Sequence, residues 1–353
     1  MLQIKDYILW FILLKISNKS KMELFKIYEN EEEIYNNIDN ISRDRVLSGK
    51  RINNLKTVTV NEIKEFKNYL NKEGIRYITS TSVDYPSSLR NVYDPPYILF
   101  YKGDKSLLKD KTGGIVGSRN CTNYGREVTT RITKELCANS ITIVSGVAMG
   151  IDSVAHRVAV DEGGRTIGVL GCGIDIVYPK VNKKLYKDIE RTGLLLSEFM
   201  PGTEPKGYNF PQRNRIISGL SERLVVIEAS LKSGSLITVS YALEEGKSIM
   251  AVPGSVLQSN STGCNKLIGD GASSFAEMVD LHTFFGIYKK TYVNGENGAK
   301  DALLTVISSE PKHLDDIIDR VNVDRKVLFG LLFEMQNRNE IICLPGNYYA
   351  KLS

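Results

Sequence analysis

The sequence has few of the residues that hold metal ions or form disulfides. Its five cysteines are scattered and form no C-x-x-C pair, and only three histidines occur in 353 residues. His156, His282 and His313 show no H-E-x-x-H or other metal-ligand spacing. We therefore expect no metal and no cofactor, and the thiols favour a reduced, cytoplasmic setting over a disulfide framework or a zinc site.

Long apolar runs and a strong net charge are also missing. The apolar stretch from Tyr7 to Leu14 lies between Asp6 and Lys15 and has no small-residue cleavage site. It is too short for a signal or a membrane span, and it predicts a packed helix. The 46 lysines and arginines exceed the 41 aspartates and glutamates by only five. Affinity for polyanions must therefore be judged from local clusters of charge.

Motifs of several enzyme classes are absent as well. No G-x-x-x-x-G-K-[ST] loop occurs, so the usual phosphate cradle of an ATPase is missing. Ser145-Gly146 lacks the G-x-S-x-G pattern of a hydrolase elbow. Asp152, Asp175 and Glu198 form no obvious pair for metal-dependent nuclease chemistry. These absences favour a binding protein over an enzyme.

The residues that are present predict several domains. A chain of this length with 42% apolar residues can form two or three. Apolar positions at helical spacing predict a small all-helical domain over residues 1–80, of the helix-hairpin-helix or SAM-like type. Residues 287–300 are polar and glycine-bearing and predict a linker. Three helical stretches and a β-hairpin over residues 301–353 predict a winged-helix module.

Between these parts, residues 84–286 alternate short β-rich runs with stretches of helical length. Parallel strands need long crossovers, which helices supply, so the pattern predicts an α/β fold with a doubly wound, mainly parallel sheet. The predicted strands of the sheet are Gly114 to Gly117, Ile141 to Val144, Thr166 to Leu170, Leu194 to Leu196, Leu224 to Ile227 and Ser248 to Val252.

Glycine-rich segments follow several of these strands, where an open parallel sheet binds its ligands. Glycines allow an anion to approach the backbone N–H groups of helix N-termini, so phosphate is the expected ligand. Ser118 is expected to cap the next helix, and Arg119 offers a charged fork for phosphate oxygens unless a carboxylate pairs with it. The segments are Gly117-Ser118-Arg119, Ser145-Gly146 with Gly150, Gly171-Cys172-Gly173, and Ser233-Gly234-Ser235.

Basic and aromatic residues alternate from Lys180 to Arg215. Phe210, and Tyr208 beside it, would present rings to unstacked bases, the alternative for Phe210 being a place in the core. Arg213 and Arg215 diverge by about 200° on a helix, so one of the two is expected to pair with a carboxylate such as Glu228. Lys206 and the other arginine remain candidates for backbone contacts, and Asn214 is either a contact or a turn cap. Asp152 and His156 are expected to tie the loop from Gly146 to Gly150 to its helix.

In order and spacing, these motifs resemble the DprA (Smf) family of DNA-processing proteins. They are Gly-Ser-Arg, Val-Ser-Gly-x-Ala-x-Gly-Ile-Asp, Gly-Cys-Gly-x-Asp-x-x-Tyr-Pro, Phe-Pro-x-Arg-Asn-Arg and Lys-Ser-Gly-Ser-Leu-Ile-Thr. The resemblance implies an extended Rossmann-like core. It also implies a homodimer that binds and protects single-stranded DNA without cutting it and helps load the RecA recombinase in natural transformation. The predicted DNA-binding set is Gly117, Ser118, Arg119, Ser145, Gly146, Lys180, Lys206, Phe210, Arg213, Asn214, Arg215, Ser233 and Gly234.

Two other functions remain open from the residues. A nucleotide-hydrolysing enzyme would use the same glycine-rich edge with Glu198 or Asp152 as its acid, although the strip from Lys180 to Arg215 is longer than a mononucleotide requires. A regulator that reads duplex DNA would use the winged helix. Its presumed recognition helix, Asp324 to Asn337, has no net positive charge and instead suggests a protein contact or oligomerisation.

Overall fold

A computed structural model describes residues 3–43, 54–287, 291–292, 296–322 and 325–352. The chain divides into two compact units, Met1–Met278 and Val279–Ser353. Within the described ranges, no helix is both long enough and apolar enough to cross a membrane.

The first unit contains a nine-stranded sheet in its described part. The central strands are apolar and buried on both faces, as is typical of parallel sheets covered by helices. The strands are β1 (Arg76–Thr79), β2 (Ile98–Gly103), β3 (Thr112–Gly117), β4 (Thr142–Ser145), β5 (Thr166–Val169), β6 (Leu194–Ser197), β7 (Arg223–Ile227), β8 (Ile249–Ala251) and β9 (Ser273–Ser274).

The strand order is β1-β2-β6-β5-β4-β3-β7-β8-β9. All pairs from β6 to β9 are parallel, and β2 pairs antiparallel with both β1 and β6. From β3 the chain moves outward to β6 and then crosses to β7 on the other side of β3. This reversal makes β3 and β7 the switch point, where ligands of doubly wound sheets bind. The prediction of a Rossmann-like, mainly parallel sheet is confirmed.

The helices of the first unit follow the predicted alternation, and their ends have local causes. For example, α6 begins where the Thr122 hydroxyl accepts a hydrogen bond of 3.2 Å from the Gly125 N–H. Its residues Val128, Ile132 and Leu136 recur every four positions and are buried. The helices are α1 (Ile4–Leu13), α2 (Asn18–Leu24), α3 (Glu31–Asn36), α4 (Ile38–Arg43), α5 (Val60–Lys72), α6 (Asn123–Ala138), α7 (Ile151–Asp161), α8 (Lys183–Thr192), α9 (Asn209–Leu220), α10 (Ser235–Glu244) and α11 (Thr262–Gly269).

The N-terminal segment is helical, but it shares a core with the sheet. Trp10 and Phe11 of α1 belong to the same buried cluster as Tyr97 and Phe100. The rings of Phe11 and Tyr97 lie 5.0 Å apart, edge to face. Strand β1, which lies within the expected helical domain 1–80, joins the sheet. Residue 80 is therefore not a boundary between compact units.

The second unit has its own small core. Part of the expected linker 287–300 lies outside the described residues, and a helix begins inside it at Glu296. The expected recognition helix begins at Arg325, Asp324 lying outside the described residues, and the winged-helix assignment stays a prediction. The elements are α12 (Met278–Phe285), β10 (Thr291–Tyr292), α13 (Glu296–Val306), β11 (Lys312–His313), α14 (Leu314–Arg320), β12 (Val321–Asn322), α15 (Arg325–Asn337), β13 (Ile341–Leu344) and β14 (Tyr348–Lys351).

Candidate functional site

A cavity of about 550 Å³ opens at the switch point, between the ends of β3 and β7 and the first turns of α9 and α10. Eight of the thirteen residues predicted from the sequence line it. They are Gly117, Ser118, Arg119, Phe210, Arg213, Asn214, Ser233 and Gly234. Gly146 lines a smaller adjoining cavity together with Arg119 and Phe210. We call the larger cavity the switch-point pocket.

The turn after β3 brings backbone close to the switch-point pocket. A Cβ atom on Gly117 would lie 1.9 Å from the Ile227 carbonyl oxygen, so no larger residue fits there without displacing β7. Ser118 does not cap α6, which corrects the prediction, because Thr122 holds that position. The Ser118 hydroxyl instead accepts a hydrogen bond of 3.1 Å from the Asn120 N–H, which shapes the turn.

Arg119 is the most accessible charged group of the switch-point pocket. Its side chain is exposed, and it forms no ion pair with any residue that the structure describes. The guanidinium carbon lies 5.4 Å from the centre of the Phe210 ring. A guanidinium without a carboxylate partner at the edge of a glycine-rich cavity is suited to bind phosphate oxygens.

Phe210 is half-buried and is held from several sides. Its ring lies 5.4 Å from that of Tyr178, tilted by 38°. A Cβ atom on Gly171 would lie 2.7 Å from the Phe210 ring, so the glycine makes room for it. The ring is thus fixed in position while part of it faces the pocket. Tyr208, the other candidate ring, is 68% exposed and lies outside the pocket lining.

Arg213 is buried and ties together the ends of two strands. Its guanidinium donates to the Gly146 carbonyl at 2.7 Å and to the Val169 carbonyl. Burial raises the pKa of the neighbouring Asp152 carboxyl, and the Arg213 charge opposes this rise. Asp152 also accepts a hydrogen bond of 3.4 Å from the Ala148 N–H, so it ties the Gly146 to Gly150 loop to α7 as predicted.

Arg215 is buried in an ion pair and does not line the switch-point pocket. Its side chain is 2% exposed and donates two hydrogen bonds of 2.6 Å to the two oxygens of Glu198. The carboxylate partner is therefore Glu198, and the expectation of Glu228 is wrong. Glu228 accepts hydrogen bonds from the N–H and hydroxyl of Thr122. Arg215 therefore lies apart from the predicted DNA-binding residues that line the pocket.

Asn214 links the two helices that border the pocket. Its side-chain amide donates to the Gly234 carbonyl at 3.2 Å, just before α10 begins. The hydroxyls of Ser233 and Ser235 lie 2.7 Å apart at the same turn. The turn therefore joins α9 to the N-terminus of α10, where the helix dipole favours an anion.

Comparison with known proteins agrees with this architecture. A family model described as DNA recombination-mediator protein A matches residues 76–286, which include the whole sheet and the pocket. The chain belongs to this family.

Known relatives and solved structures match most of the chain. The chain is 44% identical to the DNA processing protein DprA of Bacillus subtilis over 63% of this chain and 77% of the relative. The X-ray structure of DprA from Streptococcus pneumoniae matches with a TM-score of 0.68 and 34% identity, over 79% of this chain and 97% of that one. A structure of DNA processing protein A from Helicobacter pylori, described by its single-stranded DNA binding mode, matches with a TM-score of 0.54 and 30% identity. The match covers 61% of this chain and 96% of that one.

The other residues that the sequence predicted to bind DNA lie outside the switch-point pocket. Ser145 is fully buried and its hydroxyl donates to the Ile115 carbonyl at 2.6 Å, so its side chain does not reach a ligand. Lys180 and Lys206 are exposed, and neither lines the cavity. Pro205 and Gly207, on either side of Lys206, do line it, so Lys206 lies at its rim.

His156 has a structural place that the sequence reasoning missed. Its Nδ1 atom lies 2.7 Å from the Thr166 hydroxyl, so it joins α7 to β5. Burial lowers the pKa of the imidazole to about 3. Among the described residues, no group of three or more His, Cys, Asp or Glu is placed to hold a metal ion.

Proposed function

We propose that the chain binds single-stranded DNA in the switch-point pocket. Arg119 and the backbone amides of the bordering turns hold phosphates, while a base stacks against Phe210. The observation that carries this proposal is the contact between the unpaired Arg119 guanidinium and the Phe210 ring at the cavity edge. Single-strand binders combine a cationic groove with aromatic rings in this way, and a duplex would hide its bases from the ring.

The proposal extends to the role of the protein. By its family resemblance, the chain protects incoming single strands and helps load RecA in DNA uptake and recombination. It acts as a cytoplasmic homodimer, cuts no DNA and needs no cofactor. The relatives named for DNA processing and for single-stranded DNA binding support this role.

The structure disfavours the alternative of a nucleotide-hydrolysing enzyme. Glu198 has both carboxylate oxygens engaged by Arg215. Asp152 is buried beside Arg213 and bonded to the loop N–H of Ala148. Glu198 does not line the cavity and is therefore not placed to donate a proton there, whereas Asp152 lines the cavity and uses its carboxylate to hold the Ala148 N–H.

Binding to oligo-dT and to an abasic strand of equal length tests the proposal, because the two carry the same phosphates. We expect the wild type to prefer oligo-dT by about 1–3 kcal/mol per stacked base, and Phe210→Ala to lose that preference. Tyr208→Ala is the matched control, since its ring lies outside the pocket lining. Equal binding of both strands by the wild type, or efficient competition by free dTMP, would refute the proposal.

A further inference from the structure

A second cavity of about 550 Å³ lies beside the switch-point pocket. Arg119, Arg126 and Arg157 line it, and no aspartate or glutamate does. Arg119 and Asn120 line both cavities, so the two are contiguous. We call this second cavity the arginine groove. Three guanidinium groups without a carboxylate among them produce a strongly positive local potential.

The charges of the groove are not used within the fold. Arg126 lies in the first turn of α6 and Arg157 in the middle of α7, and both side chains are exposed. Among the described residues, neither forms an ion pair. By contrast, Arg131, one turn further along α6, pairs with Glu127 at 2.9 Å. The two groove arginines therefore have no internal partner that explains their positions.

The floor of the groove is firmly built. The Asn182 side chain donates to the Val147 carbonyl at 3.0 Å and to the Ser153 hydroxyl at 3.2 Å. Gly150 adopts φ of 78°, and a Cβ atom there would lie 2.2 Å from the Ser118 carbonyl oxygen. These contacts join the groove to the turn that holds Arg119, so a ligand would meet a preformed surface.

Apolar side chains complete the lining. Met149 is 47% exposed and Val181 is 73% exposed, and both lie in the arginine groove. Cations beside apolar surface suit a strand whose phosphates alternate with sugars and unstacked bases. A mononucleotide would fill the switch-point pocket and leave this second surface empty.

We propose that the arginine groove binds the sugar–phosphate backbone of the same DNA strand where that strand leaves the switch-point pocket. Arg126 and Arg157 each hold a phosphate, and Arg119 lies at the junction. This inference rests on the proposed function, since it continues the path of a strand anchored at Phe210. If the groove binds the strand in this way, a longer strand gains affinity from it that a strand confined to the pocket does not.

The test compares oligo-dT of roughly 6 and roughly 20 nucleotides, lengths chosen to span the usual site sizes of single-strand binders. In wild type, we expect the longer strand to bind more tightly. In the double variant Arg126→Ala and Arg157→Ala, we expect most of that length advantage to disappear. The slope of log K against log salt for the longer strand should fall by about 1.4, which is about 0.7 for each lost phosphate contact.

The control is Arg131→Ala, which removes one charge from α6 outside the groove. It should retain the length advantage. If the double variant keeps the wild-type ratio and slope, or weakens a matched duplex as much as the longer strand, the groove assignment is wrong. If the wild type fails to bind even the longer strand, the proposed function itself fails, so the two outcomes are distinguishable.

Discussion

Three arginines near the switch point have different roles because different groups surround each guanidinium. Arg119 is exposed and has no ion pair in the described part of the chain. Arg213 is buried beside Asp152 and donates hydrogen bonds to two backbone carbonyls. Arg215 is buried against Glu198. The first is available to a ligand, the second positions the pocket floor, and the third maintains the fold.

The Arg215–Glu198 pair gives a prediction for stability. Glu198→Gln keeps the side-chain shape but removes the nearer counter-charge of a buried guanidinium and leaves only the Asp94 carboxylate, 4.0 Å away. Breaking a buried ion pair costs about 3–5 kcal/mol. We expect a large drop in the free energy of unfolding, measured by urea denaturation. Glu127→Gln, at the exposed partner of Arg131, should change it by less than about 1 kcal/mol. Equal unfolding midpoints for the two variants would contradict the structural role of Arg215.

The sequence predicted much of the site at this scale, and its errors have a physical reason. Glycine turns and Arg119 were predictable because strand ends of a parallel sheet meet at one edge. The spacing of Arg213 and Arg215 showed that their side chains diverge, but it did not identify the carboxylate that pairs with Arg215. Glu198 reaches Arg215 from the end of β6, a contact set by strand order and not by local pattern.

At the scale of elements, His156 makes the packing of α7 on β5 sensitive to pH. The imidazole is buried with a pKa of about 3, while an unfolded chain has the ordinary value of about 6.5. Between these values the unfolded state binds a proton that the folded state does not. The stability contributed here is therefore complete above pH 6.5 and is lost as the pH falls.

A comparison of wild type with His156→Gln over pH isolates this contribution. From about pH 6 to about pH 4, we expect the wild type to lose about 1.4 kcal/mol per pH unit relative to the variant, one proton being linked to unfolding. Denaturant titrations at each pH measure the difference. Parallel stability curves would show that His156 is protonated in the folded protein and that the Thr166 contact does not hold it neutral.

For the whole molecule, the sheet was predictable, but the packing of the N-terminal helices onto it was not. Alternating strand and helix patterns predicted the α/β class, because each connection between parallel strands needs a long crossover that a helix supplies. The helical N-terminal pattern looked like a separate domain, yet Phe11 and Tyr97 pack in one core. Amphipathic helices show which face is buried, but not which surface buries it.

The central claim is that the switch-point pocket binds single strands through Arg119. Its most direct test is equilibrium binding of oligo-dT and a matched duplex from about 50 to about 200 mM salt, with wild type, Arg119→Ala and the control Arg131→Ala. We predict single-strand binding that weakens steeply with salt, collapses in Arg119→Ala and persists in Arg131→Ala. Equal affinity for the duplex, or unchanged binding by Arg119→Ala, would contradict the claim.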